Sequence, residues 1–426
     1  MLRLRGTRQE GNCGALAGNA VQMQGGAAIS HHATAPNHPV RCAASAHEQA
    51  EGASELPEKR CVVGLGGAGI DYLAEVAAYP APDDKIRTTT LQVQGGGNVG
   101  NALTAAARLG LQPRIISKVA DDSLGGQILA ELEGDGVDTQ HMVVAQGGVS
   151  PFTYIIVDRA GHTRTCIHTP GQPPMQSHEL TQDTISSVLD GADLVYFDGR
   201  LADSAILLAN EASARGLPIL VDAERPRDGL DALLHLATHV VASEKFPLAW
   251  TGAPGLGGSL LTLLQRLPRV QQVTVTLGAR GSATVERLPL PADGDSPALD
   301  VDEALQGLIL RAEQKREQAG AGPRPVVVAS KSGRLISSQL GPSDGGDVAG
   351  RVLYASAVAL TAHQIVDTTG AGDAFIGAVL YALCAGLPAE KMLRLAATVA
   401  GEKCKALGSR PGLPRRTDPC IQDLLG

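Results

Sequence analysis

The stretch Asp367-Thr368-Thr369-Gly370-Ala371-Gly372-Asp373-Ala374-Phe375 constrains this chain of 426 residues more than any other. Beyond Asp373, the apolar residues Phe375, Ala378, Val379 and Ala382 fall at i, i+3, i+4 and i+7. That is the spacing of a helix with one face turned to a core. Gly370 and Gly372 then sit at its N-terminus, where first-turn N–H groups lack intrahelical partners and the dipole is positive. Glycines let a ligand approach that backbone closely, so the geometry suits a phosphate. Asp373, placed among those donors, is a carboxylate able to take the proton of a hydroxyl that attacks the phosphate. Taken alone, a glycine-rich turn and an acid are also an ordinary helix start.

The wording of Val366 to Phe375 resembles the signature of the phosphofructokinase-B (ribokinase-like) family of small-molecule kinases. The resemblance implies that Asp373 is the catalytic base and that the backbone of Gly370, Ala371 and Gly372 forms an anion hole. It implies ATP and Mg²⁺ as cofactors, with a monovalent cation such as K⁺ in some members. The fold it implies is α/β: a doubly wound, mainly parallel sheet with helices on both faces and a small β-sheet lid.

The length allows one large α/β domain with appendages or two ordinary domains. A formal net charge of -8 argues against a nucleic-acid surface, and no apolar run is long enough to cross a bilayer. The seven cysteines are odd in number and lack metal-ligand spacing, which suits a reducing compartment. From Met1 to His47 the only acid is Glu10, against Arg3, Arg5, Arg8 and Arg41. Residues 1–60 therefore read as a transit peptide, and Val40-Arg41-Cys42-Ala43-Ala44 resembles the end of a chloroplast leader. A disordered cytosolic tail is the alternative.

Cys61-Val62-Val63-Gly64-Leu65 reads as a first buried strand. Gly64, Gly66 and Gly69 spell the dinucleotide fingerprint, so an NAD-dependent oxidoreductase is a competing hypothesis. Its context is poor: the helix expected from Ile70 is stopped by Pro80 and Pro82, and Asp83 and Asp84 fall in a turn. The same segment resembles the start of ketohexokinases, which implies that Asp71 and Asp83 bind sugar hydroxyls. A helix-end acid and a turn former are the plain alternatives. Arg87 to Val93 alternates as a strand, and Gly95-Gly96-Gly97-Asn98-Val99-Gly100-Asn101 follows it. This run resembles a sugar-binding turn of ketohexokinases, giving Gly97, Asn98 and Asn101 a substrate role; a loop capped by Asn98 is the alternative.

Strands and helices alternate from Pro113 onward, with a hairpin at Phe152–Val157 and Thr163–His168. By the resemblance, the strands near 87–93 and 151–168 are the lid and a possible homodimer contact. Asp198-Gly199-Arg200 follows a buried strand and resembles a substrate-binding tripeptide, although a salt-bridged turn also accounts for Arg200. Where ribokinases carry Asn-x-x-Glu, this chain has Ser243-Glu244-Lys245-Phe246; Glu244 is the nearest acid for a metal, or simply a helix-start residue. Thr276, Gly278 and Gly281 resemble a nucleotide-binding strand and turn, or form a plain one. Gly401 and Cys404 resemble residues that flank adenine, or pack an ordinary helix.

The expected organisation is a kinase domain over 61–415, an insertion near 288–350 and a tail at 416–426. The expected activity is ATP-dependent phosphorylation of a small sugar, with a ketohexose favoured. Asp71, Asp83, Asn98 and Asn101 form a hydroxyl-binding set without an added cation for an anionic sugar. Ribose, nucleoside or inositol phosphorylation are alternatives, as is an inactive regulator that keeps the fold.

Overall fold

In a computed structural model of the chain, residues 60–161, 163–289, 297–318, 322, 324–340 and 347–425 are described. Residues 1–59, which carry nearly all of the expected leader, lie outside them. The strand Cys61–Leu65 decides the topology. Gln112–Ile116 pairs with it on one side and Ala192–Phe197 on the other, both parallel. Ile219–Ala223, His239–Ser243 and Gln272–Thr276 continue outward in parallel, and Ser282–Arg287 and Ala349–Ala355 follow with antiparallel pairing. Among the described residues the sheet has eleven strands. Its order reverses around Cys61–Leu65, which creates the crevice where open α/β sheets bind ligands.

Alternation along the strands explains why both faces are covered. Val63, Leu65, Val195 and Phe197 enter one apolar cluster, while Val62, Leu194 and Tyr196 enter another. Helices Ala202–Ala214, Leu256–Arg266 and Val301–Gln318 pack on the first face, and Asn98–Leu109, Ala371–Cys384 and Ala389–Lys403 on the second. This is the doubly wound arrangement expected. Helix Ala371–Cys384 approaches Asn98–Leu109 closely at Gly377, where a Cβ would stand 2.5 Å from that of Ala105. The contact fixes the separation between the ends of the two helices, and so sets Asn101 against Asp373.

A separate four-stranded sheet forms the lid, in the order Thr90–Gly96, Gly69–Val76, Phe152–Asp158, Thr163–Thr169. Its second strand corrects the helix expected from Ile70. Ile70, Leu73 and Val76 are all buried, which blurs the alternation of a half-buried strand into something like a helical spacing. Pairing on both sides, antiparallel to Thr90–Gly96 and parallel to Phe152–Asp158, decides the outcome. The strand expected at Arg87 to Val93 is displaced along the chain: it starts at Thr90 and runs into the glycines to Gly96.

The segment near 288–350, expected as an insertion, is built into the main sheet where it is described. Ala298–Asp300 pairs with Gly333–Ile336, which pairs with Ala349–Ala355, and Val327–Ala329 adds to the same strand. Among the described residues no helix is long and apolar enough to cross a membrane.

Candidate active site

A cavity of about 620 Å³ lies over the C-terminal ends of the parallel strands. Its walls come from the turn after Cys61–Leu65 and from Arg200, Asp222 and Thr276; the lid contributes Asp71, Thr153 and Cys166. Gly370, Gly372 and Asp373 line the same space.

Asp373 stands in the first turn of Ala371–Cys384. The N-cap, Gly370, has φ of 74°, a left-handed conformation natural to glycine, and a Cβ there would meet Ser409 Cβ at 2.7 Å. No side chain caps this end; the Ala371 N–H donates to Thr368 O at 3.2 Å and the Ala374 N–H to Gly370 O at 2.8 Å, which leaves the N–H groups of Gly372 and Asp373 as the first-turn donors open to a ligand. At Gly372 a Cβ would find nothing within 4 Å. The loop before the helix is tied down by buried Asp367. Its carboxylate accepts from Thr369 N at 2.9 Å, Thr369 Oγ1 at 2.7 Å and Gly408 N at 2.8 Å.

Asn101 Nδ2 donates to Asp373 Oδ2 at 2.9 Å. Burial pushes the Asp373 carboxyl up to about 6; Asn101 and Arg200 hold it down, while Asp198 and Asp71 add to the rise. A carboxylate poised there is ionised at neutral pH yet basic enough to take a proton in a transition state.

Of the residues expected to bind a sugar, Gly97, Asn98, Asn101 and Asp71 all reach the cavity. Asp71 is 5% exposed, and burial pushes its carboxyl up to about 6 against the opposing pull of Arg410. Asp83 does not join them. It is exposed, with φ of 68°, in the proline-bounded stretch beyond the far end of the lid strand that carries Asp71. Asp198 is buried behind the cavity wall. Its carboxylate accepts from Gly67 N at 2.8 Å and Arg200 N at 3.0 Å, so it holds the first turn and the cavity-facing Arg200 in place.

Of the nucleotide set, Thr276 lines the cavity, whereas Gly278, Gly281, Gly401 and Cys404 do not. A Cβ on Gly281 would come within 2.0 Å of Ala355 O, and one on Gly401 within 2.8 Å of Val358, so packing accounts for both. The Cys404 carbonyl accepts from Val366 N at 2.9 Å. Glu244 is away from the cavity wall and is bonded to Arg280. Among the described residues no group of three or more His, Cys, Asp and Glu is arranged to hold a metal.

Sequence reading missed three residues. Asp222 ends the apolar strand Ile219–Ala223 at the cavity; burial, with Asp373 nearby, pushes its carboxyl well above the usual range. Its signal is an acid closing an otherwise apolar strand at the sheet's ligand end. Arg164, on the lid, lines the cavity and donates to Thr368 Oγ1 at 2.5 Å. Arg410 is 4% exposed and donates to Asn101 Oδ1 at 3.2 Å. These two act across 204 and 309 residues of sequence, which no local pattern announces.

The model of the pfkB family of carbohydrate kinases matches residues 59–300 and 320–416. Its interruption coincides with the helix Val301–Gln318, so the extra segment is shorter than 288–350. The chain is 22% identical to the ketohexokinase of Mus musculus over 360 residues, 82% of this chain and 98% of that protein. It is similar in fold to the Arabidopsis thaliana ribokinase complexed with ribose and ATP, with a TM-score of 0.58, 21% identity, and coverage of 86% of this chain and 98% of the other. A ribokinase II from E. coli in complex with ATP and Mg²⁺ gives a TM-score of 0.60 at 16% identity, covering 86% and 97%.

Proposed function

The chain belongs to the pfkB family of carbohydrate kinases, and from that premise we propose that it transfers the γ-phosphate of ATP to a hydroxyl of a ketohexose. The observation that carries this reading is Asp373, facing the cavity at an uncapped, glycine-led helix N-terminus and bonded to Asn101. A sugar hydroxyl held against Asp71, Asn98 and Asn101 gives its proton to Asp373 as its oxygen attacks the γ-phosphorus. The bond from that phosphorus to the bridging oxygen breaks, and ADP leaves with the electron pair. The backbone of Gly370, Ala371 and Gly372 takes up charge on the transferring group. Mg²⁺ would be carried by the nucleotide phosphates, with no cluster of three or more His, Cys, Asp and Glu among the described residues to hold it, and would supply neutralisation of their charge. Thr276 lines the cavity, which supports giving it the nucleotide side, and a closed lid would exclude water that competes with the sugar.

The neutral-sugar reading is supported by how the cavity's cations are occupied. Lys118 is paired with Glu179 at 2.7 Å and Arg200 with Asp198 at 3.3 Å, while Arg225, its side chain 63% exposed to solvent, stands 3.8 Å from a Glu224 that Arg227 holds at 2.9 Å. Arg164 touches the neutral Thr368 beside Gly370, at the phosphate end. The sugar end keeps carboxylate and amide groups, which accept and donate to neighbouring hydroxyls. Ribose is the second reading, since the fold is also similar to a ribokinase holding ribose and ATP.

The test is an ATP-consumption screen over fructose, ribose, adenosine, inositol and phosphorylated sugars. Turnover of fructose and other ketoses is expected. Turnover of a pentose or nucleoside without ketoses would sink the substrate proposal while leaving the kinase family intact.

Assembly follows from the lid's outer face. Val93, Tyr72, Tyr154 and Ile167 form one cross-strand row, and Leu91, Val93, Tyr154 and Ile167 are 61%, 43%, 51% and 52% exposed. An apolar sheet face of this kind suits a second copy of the lid, hence a homodimer.

A further inference from the structure

We propose that Arg410 is a positioning residue for phosphoryl transfer: it decides which end of the Asn101 amide meets Asp373 and holds the charge of Asp71. The proposal rests on the kinase reading of the cavity. Asn101 is 4% exposed and its amide has a donor end and an acceptor end. Arginine only donates. Arg410 Nε at 3.2 Å from Asn101 Oδ1 therefore requires the oxygen on its own side, and the NH₂ is left to face Asp373 Oδ2 at 2.9 Å. With the amide reversed, an oxygen would confront the carboxylate and an NH₂ the guanidinium, both repulsive.

The glycine run is shaped around this side chain. A Cβ on Gly95 would lie 2.2 Å from Arg410 Nη1, and one on Gly100 2.8 Å from Nη2. A Cβ on Gly96 would fall 2.3 Å from the Asp71 carboxyl. The guanidinium and the Asp71 carboxyl thus occupy space cleared by consecutive glycines, while the Gly96 carbonyl accepts from Arg410 Nη2 at 3.4 Å.

Ion pairing is part of the placement, since Asp135 and Glu131 act on the Arg410 charge more strongly than Asp71 does, but it does not fix which way the guanidinium's Nε faces. The nearest acid on the far side, Asp135, is already held by Arg108 at 2.8 Å, whereas Arg410 Nη1 stands 3.9 Å from it. Arg410 Nη1 has no hydrogen-bond partner among the described residues. Around Asp71 the charged and polar groups are Arg410, Thr153, Ser409 and Asp367; Arg410 favours the ionised form and Asp367 opposes it. Around Asp373 they are Asn101, Arg200, Asp198, Asp71 and Asp222, the last a buried acid whose own carboxyl is pushed up with Asp373 nearby. Loss of Arg410 therefore favours protonation of Asp71 directly and of Asp373 through Asn101.

The experiment compares wild type, Arg410→Gln, Arg410→Lys and Gly100→Ala, measuring sugar KM, ATP KM, kcat and the pH profile of kcat/KM. Fructose is the substrate, or whichever sugar the wild type turns over in the screen. A wild type active only on ribose thus defeats the substrate proposal and moves the Arg410 comparison to ribose. Arg410→Gln is expected to raise the sugar KM about tenfold, the worth of one charge-assisted contact. It should move the acid limb of the profile up by about one unit and leave the ATP KM unchanged. Arg410→Lys should return the acid limb toward wild type with the sugar KM still raised, because a point charge lacks the planar fork. A folded Arg410→Gln with wild-type sugar KM and acid limb overturns the proposal. Should that variant not fold, Gly100→Ala displaces the guanidinium within an intact helix. It must then raise the sugar KM and shift the limb in the same sense, and an unchanged profile overturns the proposal equally.

Discussion

Asp373 and Asp71 face one cavity with carboxyls pushed up to about 6 by burial. Folding thus raises both above the ordinary value of 3.8. In the proposed mechanism each acts ionised, the first as base and the second as acceptor of hydroxyls, so kcat/KM should fall as pH drops through about 6. A pH–rate profile checks this, and a flat profile down to pH 5 would contradict it. The stability sign is opposite. Between the unfolded and folded values the native state binds more protons, so these two groups contribute more stability below that window and lose it as pH rises through it. Asp373→Asn removes a charge the fold tolerates poorly. It should lower phosphoryl transfer by roughly 10²–10⁴-fold while raising the melting temperature at pH 7.5; unchanged turnover would remove Asp373 as the base. Asp373 was legible in the sequence because its partners, the glycines, are its neighbours. Arg410 was not, because its role exists only once the C-terminal segment meets Asn101, and Asp222 offered only the local signal of an acid near the end of an apolar strand.

The helix Ala371–Cys384 and the lid strand Gly69–Val76 mark the two limits of reading elements from pattern. The helix was legible because its apolar face repeats over two turns and its start is fixed by a glycine with a reason to be there. Gly370→Ala should cost about 1–2 kcal/mol for the left-handed conformation, with the 2.7 Å clash against Ser409 Cβ added. Denaturation and kinetics together check this: kcat should fall more than stability alone explains, since the first-turn amides shift with Gly370. A variant destabilised with full kcat per folded molecule would show that the amides are not aimed at the transferring group. The lid strand was misread because its two ends are buried by neighbours that sequence alone does not reveal. That correction also disposes of the dinucleotide fingerprint. After Gly69 the chain enters a strand, so Gly64, Gly66 and Gly69 do not open a helix whose N-terminus could hold a pyrophosphate.

At the scale of the whole molecule, the main sheet buries its apolar surface on both faces, and the lid does not. Leu73, Ile155 and Val157 form a small cluster on the cavity side, while the opposite face leaves Leu91, Val93, Tyr154 and Ile167 in solvent. Four strands about 4.8 Å apart and seven residues of about 3.3 Å each give a face of roughly 400 Å². Stacking two such faces about 10 Å apart, as in a sandwich, covers roughly 800 Å² in total, below the size of stable specific interfaces and in the range of weak, transient ones. The dimer proposed from this surface should therefore be concentration-dependent, and one charge at its centre should abolish it. Tyr154 is the residue to change, because it lies mid-row with its ring 5.3 Å from those of both Tyr72 and Phe152. Tyr154→Glu should run as a monomer in light scattering at concentrations where the wild type is dimeric. Its sugar KM should rise with the ATP KM little changed, since the same sheet carries Asp71 and would lose its support. A wild type that is monomeric at tens of micromolar, or a Tyr154→Glu variant of unaltered mass, would show that the exposed face serves something other than a second copy of the lid.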